Sequence, residues 1–172
     1  MIASRGRAHA QRGITMVETM VALLVLSIGM LGIAGLYVET MRSNRTAMVR
    51  SLAVSLVQDM SDRIRANARA QGAYDMTAYG GNPALQGCAA GAANCTDTAL
   101  AEDDLAWWKQ AVLAQLPGPT ANVTYIGGAG PNVPDRYTIQ VTWAEPGSDR
   151  TNPGAADQYS YQTNLELLPV VP

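Results

Sequence analysis

The chain has 172 residues, enough for one ordinary domain plus a membrane anchor. A formal net charge of -2 gives no reason to expect nucleic-acid binding through bulk electrostatics. One histidine, His9, and two cysteines far from it cannot make a four-ligand zinc site. No Ser-His-Asp set and no phosphate-cradling glycine loop can be assembled either, so the sequence implies no enzyme, no cofactor, no metal and no small-molecule substrate.

Arg5, Arg7 and Arg12 precede an apolar run, Ile14 to Val38, that carries 25 residues and a single charge, that of Glu18. With three of the twelve basic residues in that leader, the chain after residue 13 keeps 9 basic and 14 acidic residues, a net of -5. Basic flank, apolar span and acidic remainder form the positive-inside pattern, with a cytoplasmic N-terminus and the chain beyond about residue 40 outside. The uncharged stretch Thr19–Val38, 20 residues, makes a helix about 30 Å long, the thickness of a bilayer core. It is longer than a secretory h-region, and no A-x-A type cleavage site follows it, so it is read as a retained span. A charge inside a span costs roughly 2.5–3.5 kcal/mol, and Glu18 therefore needs a task beyond anchoring. Gly29, Gly32 and Gly35 recur every three residues; they either let helices approach closely or mark a segment that unwinds on leaving lipid.

No proline or glycine interrupts residues 36–71, so the helix is expected to continue to Gln71 and stop at Gly72. Met41, Met48, Leu52, Leu56, Met60 and Ile64, with Val49 and Val57 beside them, form one amphipathic stripe. Beyond about residue 45 that stripe is expected to pack on the chain's own globular part. Arg63, Arg65 and Arg69 sit where the helix dipole favours cations.

Residues 72–100, rich in Gly, Ala, Asn and Thr, read as loop. Cys88 and Cys95 lie in this loop; in an exported domain the pair reads as a disulfide, with buried reduced thiols as the alternative. A second helix is expected over Leu100–Leu116, with Leu105, Trp108, Val112 and Leu116 on one face and Pro117-Gly118-Pro119 ending it. Glu102, Asp103 and Asp104 are placed in its first turn, where the dipole favours anions; a calcium site there is set aside for want of a second acidic cluster. Trp108 falls on the apolar face, and Trp107 off it, as a surface or partner-contact side chain. Strands are expected at Ala121–Ile126, Arg136–Ala144 and Gln158–Leu168, in an antiparallel meander of three or four strands. The intervening loops, Gly127–Asp135 and Glu145–Asp157, are the expected recognition surface, and LPVVP at Leu168–Pro172 resists regular pairing.

The string Gly13-Ile14-Thr15-Met16-Val17-Glu18, after a basic leader and before an apolar helix, resembles the class III signal of type IV pilins and pseudopilins. It departs from the usual pattern with Ile14 for Phe and Met16 for Leu, and it lacks the proline many major pilins carry near Gly35. The segments LAVSLVQDMSDRIRANARAQGAY and RYTIQVTWAE, with the Cys pair leading into DTALAEDDLAWWKQAVLAQLPG, look like a minor pilin of the PilV type. The resemblance implies an α+β type IV pilin fold, a long N-terminal helix packed on a small antiparallel sheet. It divides the chain into a cleaved leader (1–13), a transmembrane and assembly helix (14–38), its amphipathic continuation (39–71) and a periplasmic head (72–172). A prepilin peptidase would cut between Gly13 and Ile14, the Ile14 amine would be N-methylated, and Glu18 would meet the Ile14 ammonium of a neighbouring subunit and set register. The implied partners are that peptidase, other minor pilins, the major pilin, a tip adhesin and the inner membrane. The implied work is priming or tipping a pilus that serves twitching motility and adhesion at the cell surface. The alternatives are a minor pseudopilin of a type II secretion system and a single-pass anchored periplasmic binding domain that never polymerises.

Overall fold

The computed structural model describes residues 13–88, 95–130, 132–146 and 156–168. The leader arginines, His9 and the prolines of the C-terminal LPVVP lie outside them. The fold is α+β: α1 (Met16–Ala66), two 3-10 turns (Ala68–Tyr74 and Met76–Tyr79), α2 (Asp97–Gln115), then β1 (Thr120–Ile126), β2 (Asp135–Pro146) and β3 (Ala156–Leu167). The three strands form one antiparallel sheet in the order β1-β2-β3.

The chain divides into two units, residues 1–45 and 46–172. In the first, every large apolar side chain from Ile14 to Met41 is 50–85% exposed. In the second, α1 turns Ala53, Leu56, Val57, Met60, Ser61 and Ile64 inward. Burying a Val, Ile or Met side chain stabilises by about 1.5–3 kcal/mol, so Val57, Met60 and Ile64 make this helix face a main contributor to the core. The stripe's upper members do not join it: Met41 and Met48 are exposed, and Val49 packs in place of Met48.

Helix α1 stops at Ala66, short of the expected Gln71, and the expected loop after Gly72 contains a second 3-10 turn. A tertiary bond ends the helix before any glycine is reached. The Asn67 amide nitrogen donates to Asp97 O at 2.8 Å, which ties the turn to α2. Tyr74 Oη lies 3.3 Å from Arg63 O, a last-turn carbonyl that already accepts Asn67 N–H at 3.1 Å. The backbone then folds back through Gln71, at φ 44°, and buries Ala70 and Tyr74.

Helix α2 begins at Asp97, three residues before the expected start, because Thr96 caps it: its Oγ1 accepts Ala99 N–H at 3.1 Å. Glu102-Asp103-Asp104 therefore lies beyond the first turn, and Asp97 occupies that place. The apolar face is as expected, with Leu105, Trp108, Val112 and Leu116 all buried. Trp108 Nε1 donates to Leu56 O at 2.8 Å and so joins α2 to α1. Trp107 is half-exposed.

Tyr137, Ile139, Val141 and Trp143 of β2 point to the core, and Leu165 of β3 joins them. The strands run further than expected: Glu145 pairs with Asp157 and Pro146 with Ala156, so the ends of the expected Glu145–Asp157 loop are ladder. Residues 147–155 lie outside the described residues. The β1–β2 connection closes on Asp135, which accepts from Tyr125 Oη at 3.0 Å and from Gly128 N–H at 2.9 Å. Gly128 is obligatory, since a Cβ there would fall 2.0 Å from Val133 O.

Candidate functional site

The N-terminal site is a helix start on an uncovered apolar rod. Thr15 caps it, with Oγ1 accepting Glu18 N–H at 3.3 Å and its carbonyl accepting the same N–H at 3.1 Å. Thr15-Met16-Val17-Glu18 has the T-x-x-E spacing of a capping box, a signal that the sequence carries and that places a carboxylate at the positive end of the helix dipole. Gly13, Ile14 and Glu18 are all exposed, and a Cβ at Gly13 would meet nothing among the described residues. Ile14 and Glu18 are four residues apart in sequence, and both lie open to a second molecule. The helix from Met16 is long and apolar enough to cross a membrane, and its most apolar window is wholly unburied.

Two family models match this chain. One, the prokaryotic N-terminal methylation motif, matches residues 8–34; the other, described as type IV pilin Tt1218, matches residues 35–106. The matches abut and together cover more than half of the chain, from the processing motif into α2. The two matches support a type IV pilin. No curated protein and no solved structure matches it. The pilin family is structural, and its N-terminal motif implies processing by a prepilin peptidase and assembly with other pilins.

The pilin's globular unit is stapled by the expected disulfide and at points that sequence reading left unassigned. Cys88 and Cys95 form a disulfide with Cα atoms 5.7 Å apart. Next to it, the acidic trio spends its oxygens on protein donors. Glu102 accepts from Ala84 N–H at 3.0 Å and from the Gln86 side chain at 2.8 Å. Asp103, buried, accepts Gln86 and Gly87 N–H at 2.8 and 3.2 Å. Asp104 accepts from Arg63 at 2.8 Å and from Tyr74 Oη at 2.8 Å, so α1, the first 3-10 turn and α2 meet at one carboxylate. Burial first, and then Asp104, pushes the Tyr74 hydroxyl well above its ordinary value.

A second staple fixes the other end of the packed helix. Arg50 donates twice to Glu145, at 3.0 and 2.9 Å, and lies 4.8 Å above the Tyr159 ring. Trp143 Nε1 donates to Glu145 at 2.8 Å. The Arg50 hydrogen bond is the main cause holding the buried Glu145 carboxyl below its usual range, against the cost of desolvation. Arg50 and Glu145 are 95 residues apart, so no local pattern announces the pair. Among the described residues no cluster of three or more His, Cys, Asp or Glu is placed to hold a metal.

Proposed function

We propose that this protein is a minor pilin of the PilV type, a low-abundance subunit that primes a type IV pilus or sits at its tip, supporting twitching motility and adhesion. The observation that carries the reading is one carboxylate, Glu18, on an exposed apolar helix. A surface of that kind needs lipid or other helices around it. In lipid the protein waits as a single-pass inner-membrane subunit, with Arg5, Arg7 and Arg12 cytoplasmic and the head periplasmic. Cutting between Gly13 and Ile14 frees an amine, which is N-methylated. In the filament Glu18 accepts that Ile14 ammonium from a neighbouring subunit. A buried carboxylate becomes tolerable when paired, and the pair fixes axial register more than it adds net stability.

The minor-pilin assignment draws on the DMSDRIRAN and YTIQVTW segments of the head. The partners in this reading are the prepilin peptidase, the major pilin, other minor pilins and a tip adhesin. Deletion of the protein tests it. The expected result is reduced surface piliation and twitching, with the protein only a trace component of sheared wild-type pili. Normal pili in the deletion, or loss of secreted enzymes with intact pili, would overturn the assignment.

A further inference from the structure

The outer end of the apolar rod carries two cations that the fold leaves without a counter-ion. Arg50, Arg63, Arg65 and Arg136 pair with carboxylates, and Lys109 bonds Gly81 O and the Asn82 side chain. Arg42 and Arg45, exposed on α1, make no ion pair among the described residues. Glu39, one turn before Arg42, makes none either. On the reading of Thr19–Val38 as a membrane span, the two arginines flank its outer end, where the positive-inside pattern disfavours them. A cation kept there needs an anion.

Their height along the helix selects the anion. Helix α1 runs unbroken from Met16 to Ala66, and Arg42 and Arg45 lie four and seven residues beyond Val38. At about 1.5 Å per residue they sit about 6 Å and about 10 Å past the end of the uncharged stretch. The polar headgroup layer on each side of a bilayer is about 5–7 Å deep. Side chains of a helix lean toward its N-terminus, so both arginines lean back toward the membrane. A long arginine snorkels, which brings both guanidinium groups to the headgroup layer. Three residues apart, they share one side of the helix. Tyr37, 66% exposed, marks the boundary just before them, where an amphipathic ring suits the interface.

We propose that Arg42 and Arg45 bind the phosphate of an anionic phospholipid at the outer end of the span. Guanidinium forks take phosphate oxygens two at a time, and two forks on one side of a helix suit one headgroup. Each arginine near a lipid surface is worth roughly fivefold in affinity for anionic lipid, and Glu39 offsets part of the gain. The site lies wholly within residues 1–45. It rests on the span reading and not on the task given to Glu18.

The test uses the full chain in uncharged maltoside micelles, followed by the Nε–Hε magnetic resonances of its arginines. Phosphatidylglycerol should move Arg42 and Arg45 together, at roughly fivefold lower concentration than phosphatidylcholine does. Inorganic phosphate should move neither. Arg69, exposed and also without an ion pair among the described residues, should not respond to the lipid. Arg42→Gln should weaken the Arg45 response roughly fivefold, and Arg45→Gln the Arg42 response likewise. Glutamine keeps the helix propensity of arginine, so neither variant disturbs α1. Silent resonances would overturn the proposal. So would an equal response to inorganic phosphate, an equal response at Arg69, or shifts that need another pilin in place of lipid. The same protein in vesicles, washed with alkaline carbonate, tests the span reading separately and is expected to stay with the lipid. A chain that washes off would overturn that reading and the proposal with it. One that stays, with silent arginines, would overturn the proposal alone.

Discussion

The Asp104 carboxylate joins α1, the first 3-10 turn and α2, and its removal gives a sharp prediction. It is 15% exposed and accepts one bond from Arg63 and one from Tyr74 Oη. In Asp104→Ala, Arg63 keeps Asp59 at 3.0 Å, and Tyr74 Oη keeps only the longer bond to Arg63 O. Losing a hydrogen bond to a charged acceptor costs about 1.5–3 kcal/mol. Losing the part-exposed ion pair adds about 0.2–1 kcal/mol. Asp104→Ala should therefore destabilise by about 2–4 kcal/mol. Tyr74→Phe, which leaves the ion pair in place, should cost about 1–2 kcal/mol. Because the two mutations delete one shared bond, the double mutant should be less destabilised than the sum, by roughly 1–2 kcal/mol of coupling. The assay is a thermal double-mutant cycle on the full chain in micelles, read by near-ultraviolet circular dichroism, which reports tertiary packing around Trp108 and Trp143. Strict additivity would refute the bond as the carrier of the effect.

Other outcomes follow from the same geometry. Trp108→Ala removes a 1% exposed side chain bonded to Leu56 O, and should cost about 3–5 kcal/mol in the same melts. Gly128→Ala should lower the melting temperature and expose the β1–β2 connection to proteolysis, since its Cβ would meet Val133 O. Stability should fall as pH rises past about 10, the ordinary tyrosine value. Burial raises Tyr74 and Tyr137 beyond the titratable range and Tyr125 to about 12, so the unfolded chain releases protons before the folded one does. A melting temperature flat from pH 9 to 11 would contradict those burials. Glu18→Ala should insert and be cut normally yet be depleted from sheared pili, and wild-type levels there would refute the register role.

Periodic faces were legible in the sequence because they are local. Leu105, Trp108, Val112 and Leu116 share a helix face by spacing alone, and Tyr137, Ile139, Val141 and Trp143 share a strand face by alternation. Ala53 and Ser61 escaped notice because small residues carry little hydrophobic signal, though both are buried against the core. The end of α1 was misplaced because its stop is a tertiary bond from Asn67, not a glycine. The acidic trio was read as dipole chemistry at a helix start. Thr96 starts the helix earlier, and the trio instead receives main-chain and side-chain donors from the loop before α2, from Arg63 and from Tyr74. The N-terminal motif was legible in full, since its signal is a fixed spacing in one segment. The Arg50–Glu145 staple was not, because it joins residues brought together only by the fold.

The central claim is that an amine made by cleavage is the counterpart of Glu18. Mass spectrometry of the mature N-terminus tests it most directly. A chain that begins at Ile14 with a methylated amine is the predicted result, and a chain that retains Met1 and the leader would contradict the account.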